Sequence, residues 1–517
     1  MNNLAIKAAT LLLSLAAWVD VAHARVVFQE VTGTAEVMAG DAGRLASGSA
    51  WRDYDFDGYP DLFVGNHFDR PTLNHNLRDG TFADVTDQVL MRPPTAVGIW
   101  GDKHGSSWAD FDNDGDRDLL VLVGAKEGTG SGATQLYAYD KKTREFVDQA
   151  AVRGIDYPLS RGRVATWLDY DNDGRLDVFS GAEARPDGLA PPTLFHQLPG
   201  GTFVDVRKAT GFTPVDAVAT WISDLNRDGR MDILFRGTKT GPTSPRPSGI
   251  NVIDTTTIPF RDVTPTKLRA NDPDLAIADY DGDLRPDVFI ANQWFPPTTP
   301  FGHDLYFNTK AGWVNGTVRS GINQVTRSAR PGAIAADFDN DMDVDIFLDC
   351  SAGYPTVGQG GDLPNIILWN RGDGTFTVDR MAGGAAGRST GWADTATAAD
   401  YDVDGFVDLF LTYDKERAQL YHNGGNGNHW LEIDLTGIRS NRDGIGAQVY
   451  VTAGGKTQLR EQNGGVHRFW GQNDQRLHFG LGSNDQASAI VVDWPSGVRQ
   501  HLAGVTADRV VTITEPQ

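Results

Sequence analysis

Short apolar runs alternate with Asp- and Gly-rich turns along most of the chain. One apolar segment precedes each acidic turn, as in Ser107-Trp108-Ala109 and Ala165-Thr166-Trp167-Leu168. A second follows it, as in Leu62-Phe63-Val64, Ile233-Leu234-Phe235 and Leu409-Phe410-Leu411. A third appears in most copies, as in Leu136-Tyr137, Leu305-Tyr306, Leu368-Trp369 and Leu420-Tyr421. A glycine turn introduces a fourth, as in Asp79-Gly80-Thr81-Phe82 and Asp373-Gly374-Thr375-Phe376. Short apolar runs between such turns are strands and hairpins. Four strands per unit predict the blade of a β-propeller.

The acidic turn itself recurs as D-x-D-x-D-G-x-x-D, and a fixed long period is the signature of a repeat architecture. Its copies are Asp53, Asp55, Asp57, Asp61; Asp110, Asp112, Asp114, Asp118; and Asp169, Asp171, Asp173, Asp177. They continue as Asp224, Asn226, Asp228, Asp232; Asp279, Asp281, Asp283, Asp287; Asp337, Asp339, Asp341, Asp345; and Asp400, Asp402, Asp404, Asp408. Start-to-start spacings are 57, 59, 55, 55, 58 and 63 residues. Seven copies predict seven blades. The seventh lacks a fourth strand of its own, and Val27-Phe28-Gln29-Glu30-Val31-Thr32 resembles the fourth-strand segment Thr81-Phe82-Ala83-Asp84-Val85-Thr86. The N-terminal segment is therefore expected to complete the last blade and close the ring, since an open sheet edge invites aggregation.

Calcium takes about six to eight oxygen ligands, and alternating carboxylates at positions one, three and five of a tight loop supply them. Glycine at the sixth position permits the sharp bend, and Asp at the ninth closes the site. Four carboxylates in so short a span repel one another unless a cation lies between them. A polar turn needs only one. The expectation is several Ca2+ ions, up to seven. Asn226 leaves the fourth loop one charge short. Leu284 and Met342 stand where glycine is expected in the fifth and sixth. A non-glycine residue adopts positive φ only at a cost, and Gly282 offers the fifth loop another place to bend.

These loops resemble the FG-GAP (VCBS-type) repeat over residues 26 to about 425. That resemblance implies calcium held by the Asp at positions one, three, five and nine of each copy, with Asn226, Leu284 and Met342 as departures from the pattern. After the Gly/Asn-rich stretch 423–428 the pattern changes to strand-like runs at 430–435, 447–452, 477–479, 490–493 and 510–514. Ser440-Asn441-Arg442-Asp443-Gly444-Ile445-Gly446-Ala447, Leu477-His478-Phe479-Gly480-Leu481-Gly482 and Trp494-Pro495-Ser496-Gly497 resemble the ASPIC/UnbV domain. The pairing of the two is similar to the cartilage acidic protein family and its bacterial relatives. The expected fold is all-β: a signal peptide over 1–24, a seven-bladed propeller over 25–428 and a small, sandwich-like β domain over 429–517.

Composition sharpens this picture. The chain has 517 residues and a net charge of −22, which argues against nucleic acid and anionic membrane as partners. Residues 1–24 combine Lys7, an apolar stretch around Leu11-Leu12-Leu13 and Ala22-His23-Ala24, the pattern of a secretory leader. No other stretch is long and apolar enough to span a bilayer. The expected location is secreted or extracellular, including a cell surface or a periplasm. Cys350 is the only cysteine, so stability must come from packing or from metal.

Catalytic signals are weak. Gly387-Arg388-Ser389-Thr390-Gly391 fits G-x-S-x-G but precedes a strand, whereas a nucleophile elbow follows one. Arg371-Gly372-Asp373 occupies a hairpin-turn slot. Trp51, Trp108, Trp167 and Trp221 each precede an Asp loop and read as blade core. The expected function is a calcium-stiffened structural, adhesion or ligand-binding protein and not an enzyme. Its protein or glycan ligand would lie at the face opposite the Asp loops, where the loops 124–134, 183–192, 237–249, 292–304 and 351–364 carry Trp294, Phe295, Phe301 and Tyr354. A head-to-tail homopolymer is a second expectation, and an extracellular enzyme using the propeller funnel is the alternative.

Overall fold

The computed structural model describes residues 26–39, 46–66, 69–90, 101–124, 132–238, 249–265, 268, 274–292, 302–325, 332–350, 364–387, 392–414, 416–467 and 470–517. The leader-like segment 1–24 and the aromatic residues Trp294, Phe295, Phe301 and Tyr354 lie outside them, as does the stretch 388–391. Among the described residues no helix is long and apolar enough to cross a membrane.

Each acidic repeat lies in an antiparallel sheet of four strands, which a C-terminal hairpin extends to six at the first repeat and an N-terminal strand completes at the seventh. In the second sheet the strands are Asp102–Ala109, Asp118–Gly124, Gln135–Asp140 and Glu145–Asp148, paired in chain order. Burial follows position in the sheet. Asp118–Gly124 is buried at every residue, while Glu145–Asp148 buries only Phe146. Inner strands are covered on both faces by neighbouring sheets and so are buried throughout, the second strand apolar and the first carrying the buried polar residues Lys103, His104, Ser106 and Ser107. Seven such sheets are described, and their first strands touch in cyclic order, the seventh returning to the first. The protein is thus all-β and its main body a propeller.

The ring closes as the sequence suggests. Phe28–Glu30 pairs antiparallel with Gln419–Asn423 and becomes the outer strand of the seventh sheet. Phe28 is buried and meets Phe338 edge-on, with ring centroids 5.9 Å apart. The first-strand tryptophans wedge between sheets: Trp51 against Phe410 at 6.2 Å, and Trp108 stacked on Tyr54 at 6.1 Å.

A repeated amide also staples sheet to sheet. The Nδ2 of Asn76, Asn308, Asn370 and Asn423 and the Nε2 of Gln197 each donate to a carbonyl in the preceding sheet's Asp loop, at Tyr401, Leu225, Tyr280, Phe338 and Phe111. These bonds are 2.7–3.0 Å long.

From His429 the chain forms two further sheets. One holds Leu477–Gly482, His429–Thr436 and Val510–Thr514 in that order; the other holds Lys456–Glu461, Gln448–Ala453, Gln486–Asp493 and Arg499–Thr506. Leu431, Ile433, Val449, Phe479, Ile490 and Trp494 form their shared core. Between them a hairpin, Val466–His467 with Gly471–Gln472, projects among the first strands of the propeller, and Gln472 pairs parallel to Ala50. The Gln472 side chain accepts from the Trp108 N–H at 2.7 Å and donates to its carbonyl at 3.1 Å. The C-terminal part therefore docks on the propeller of its own chain. A head-to-tail polymer would have to exchange that contact between copies.

Candidate metal centre

The seven Asp loops all connect the first strand of a sheet to the second, so they gather at one end of the propeller. Their internal hydrogen bonds repeat. The first Asp accepts from the fifth residue's N–H at 2.9–3.1 Å and, through its other oxygen, from the sixth's at 2.7–2.9 Å. The ninth Asp accepts from the second residue's N–H at 3.0–3.2 Å. Its other oxygen holds a third-strand N–H in six loops, as Asp408 holds Asn423 at 2.7 Å.

The chain can curl this tightly because two positions are left-handed. The sixth residue has positive φ in every loop, from Gly58 at 98° to Gly405 at 92°. Leu284 and Met342 do the same, at 63° and 80°. The expected shift of the bend to Gly282 does not occur. Gly282 takes the loop's other left-handed position, the fourth, which Phe56, Asn113, Asn172, Arg227, Asn340 and Val403 fill elsewhere.

Burial makes these carboxylates poor acids to ionise. The ninth-position groups are all raised, Asp61 to about 7, Asp177 to about 6, Asp232 and Asp287 to about 8, and Asp118, Asp345 and Asp408 well above the ordinary range, with desolvation the largest cause. First-position groups follow for the same reason, Asp53 and Asp279 to about 6 and Asp110 and Asp169 to about 7. Neighbouring loop carboxylates push most of them further in the same direction.

Hydrogen bonds within the loop do not use all the oxygens. One third-position oxygen, Oδ1 of Asp112, Asp171, Asp281 and Asp402, is buried without a hydrogen-bond partner. Ligand atoms of Asp110, Asp112 and Asp118 lie within 4.8 Å of one another, as do those of Asp53, Asp55 and Asp61. An orphaned, buried, anionic oxygen facing other carboxylates is a costly arrangement unless a cation is shared among them. The residues present fit a hard divalent cation.

Comparison with known proteins agrees with the repeat pattern. The family described as FG-GAP-like repeat matches residues 53–121, 110–180 and 169–235, and that described as ASPIC and UnbV matches 437–517. The chain is an FG-GAP-repeat protein with an ASPIC and UnbV domain. It is 25% identical over 511 residues to cartilage acidic protein 1 of Mus musculus, covering 92% of this chain and 74% of that protein. The human protein of the same name is 28% identical, with 92% and 73% covered. Among solved structures, a lectin of Agrocybe aegerita recognising non-reducing terminal N-acetylglucosamine aligns with a TM-score of 0.40 and 16% identity, over 78% of this chain and 94% of that one. The Vibrio cholerae biofilm matrix protein Bap1 aligns at 0.33 and 12%, over 80% and 75%. Neither likeness is strong enough to carry a ligand across.

In this FG-GAP/ASPIC chain the C-terminal part reaches directly onto the Asp loops. Arg476 sits 3.4 Å from the Asp53 carboxylate and donates to the Gly58 carbonyl at 2.9 Å. Asp443 accepts from the Asp110 N–H at 2.6 Å and pairs with Arg117 at 2.6 Å and Arg52 at 3.2 Å, all three side chains being buried. Gln448 donates to Asp224 at 3.0 Å, and Glu461 accepts from the Asp224 N–H at 3.0 Å. Lys456 pairs with Asp343 at 2.5 Å, and the imidazole of His478 meets the Gly405 carbonyl at 3.0 Å. Sequence reasoning singled out Asp443 and His478 only inside domain motifs and passed over Arg52, Arg117 and Arg476. Arg52 and Arg117 carry one sequence signal, a basic residue beside or inside an acidic repeat, and Arg476 carries none.

Other motifs settle into structure. In Arg371-Gly372-Asp373 the Asp373 carboxylate accepts from the Thr375 N–H at 2.9 Å, as Asp79 does from Thr81 at 3.1 Å, so both are hairpin turns. Cys350 is buried. Of the long loops opposite the Asp loops, 183–192 is described throughout, and there Arg185 forks onto Asp187 at 2.6 and 2.8 Å.

Proposed function

We propose that this protein is an extracellular, calcium-stiffened binding or adhesion protein, in which Ca2+ in the Asp loops rigidifies both the blades and the seat of the C-terminal domain. The observation that carries the reading is the set of buried, unpartnered Oδ1 atoms on Asp112, Asp171, Asp281 and Asp402, each amid other loop carboxylates. Bound calcium would share these oxygens and offset both the burial and the mutual repulsion that raise the carboxyl pKa values. The charge clustering serves one end of the propeller, leaving the opposite end and the rim for a protein or glycan ligand. The leader-like pattern of 1–24 and the chain's similarity to proteins named for cartilage support secretion in this reading. A structural role is favoured over catalysis because the ASPIC hairpin lies among the first strands of the propeller.

Calcium stoichiometry of the purified chain, with melting followed in calcium and in chelator, tests the reading. Several tightly held ions and a large fall in melting temperature on chelation are expected. An unchanged melt with no bound calcium would refute it.

A further inference from the structure

The seven loops are not equivalent in the residue that the third strand places beside them. In each sheet one second-strand residue directly follows the ninth Asp, and its cross-strand partner is followed by a residue lying next to the loop. The pairs are Leu62 with Asn74, Val178 with Phe195, and Leu409 with Tyr421, and the next residues are His75, His196 and His422. The same register gives Ala138, Asp254, Phe307 and Trp369 in the second, fourth, fifth and sixth sheets.

All three histidines turn a ring nitrogen onto loop carboxylates. His75 Nδ1 is 2.9 Å from Asp61 and 3.8 Å from Asp55. His196 Nδ1 is 3.0 Å from Asp177. His422 presents the opposite nitrogen, Nε2, at 3.0 Å from Asp402 and 3.4 Å from Asp404. The shared feature is a nitrogen at the carboxylates, reached by different ring orientations. Donor atoms of Asp55, Asp57 and His75 lie within 4.8 Å of one another, as do those of Asp171, Asp177 and His196, and of Asp402, Asp404 and His422. Two ligands each about 2.1 Å from one ion sit at most about 4.2 Å apart, so small adjustments bring each trio onto a single ion. In two of these loops, at Asp171 and Asp402, a carboxylate oxygen is also buried without a partner.

We propose that the first, third and seventh loops are mixed nitrogen–oxygen sites for a borderline divalent transition cation of the Zn2+ class, while the other four are all-oxygen sites for Ca2+. Imidazole favours zinc and its neighbours, whereas carboxylate and carbonyl sets without nitrogen favour calcium. The third-strand residue thus sets the selectivity of an otherwise repeated loop. The assignment rests on the reading that the loops hold cations and narrows its calcium to the other four loops, so that at Asp171 and Asp402 the zinc-class ion takes calcium's place.

The test is metal content by mass spectrometry on the full chain, first loaded with Ca2+ and then equilibrated with Zn2+. Zn2+ is expected to replace the ions of the three histidine loops and leave the rest. Losing an outer hydrogen-bond partner of a ligand already costs about 10–100-fold in metal affinity. Accordingly His75→Ala, His196→Ala and His422→Ala together should weaken zinc binding by at least that range with calcium content retained. Each single variant should remove one Zn2+, which keeps the test open should the triple variant fold poorly. Equal zinc content in the variants and the parent chain, or zinc that displaces calcium at every loop or at none, would overturn the assignment. A parent chain holding neither metal would instead overturn the cation reading of the loops.

Discussion

At the scale of single residues, Leu284 and Met342 carry the same departure from the repeat and should respond oppositely to repair. Both hold a left-handed backbone at the loop's sixth position, which costs a non-glycine residue about 1–2 kcal/mol. Leu284 is half-buried and serves no other core. Met342 is buried in the hydrophobic core of the C-terminal domain, and its sulfur lies 3.8 Å from the Asn484 amide. Leu284→Gly should therefore stabilise by about 1 kcal/mol. Met342→Gly should destabilise by a net ~1–3 kcal/mol, since deleting a buried methionine side chain costs about 2–5 kcal/mol. Urea unfolding of the two variants reads the difference in sign. Met342 was legible in the sequence only as a missing glycine, because the core it fills belongs to residues from Leu431 onward, in the C-terminal domain.

At the scale of elements, two capping arrangements make measurable claims. The Asn370 amide donates to the Tyr280 carbonyl of the neighbouring sheet and to the Val344 carbonyl, both at 3.0 Å. Asn370→Ala leaves two buried carbonyls unpaired and should cost about 2–6 kcal/mol in chemical denaturation, at about 1–3 kcal/mol for each. Glu515 gathers the N–H groups of Ile438, Arg439 and Ser440 at 2.7–2.9 Å and the hydroxyls of Ser440 and Ser496. These bonds hold its carboxyl below the usual glutamate value against the opposing effect of burial. A depressed folded-state pKa adds stability above the unfolded-state pKa, and that stability disappears as pH falls through the folded value. Glu515→Gln should thus lose about 2 kcal/mol at neutral pH, as hydrogen bonds to a charged group are worth about 1.5–3 kcal/mol each. The gap between variant and parent should close below about pH 4, which stability curves taken across pH would show.

At the scale of the whole molecule, the Asp-loop end of the propeller is also the seat of the C-terminal domain, so metal and docking should be linked. Asp443 lies between Arg52, Arg117 and the second loop's backbone. Removing one member of a buried ion cluster costs about 3–5 kcal/mol, because the remaining charges stay buried and unpaired. Asp443→Ala should lower stability by that amount, and replacing Arg117 by Leu in the same chain should recover part of it in a double-mutant cycle. Chelation should raise hydrogen exchange across 440–482 before it unfolds the outer strands. Unchanged exchange there would separate docking from metal.

Much of this protein could be read from local pattern. Short apolar runs between Asp/Gly turns specify strands because each strand must bury one or both faces, and seven like units specify a repeating sheet array. The fourth-strand likeness of residues 27–32 specifies ring closure because the last sheet otherwise exposes an edge. Candidate metal ligands were legible because carboxylate spacing within nine residues needs no distant partner. What the pattern could not determine depends on groups far apart in the chain. The hairpin among the first strands and the placement of Asp443 between Arg52 and Arg117 arise from packing between the domains, and the approach of His75, His196 and His422 to their loops arises from cross-strand register within a sheet. Short-range periodicity carries no record of such contacts; only the paired strands and the docked domains bring these side chains together.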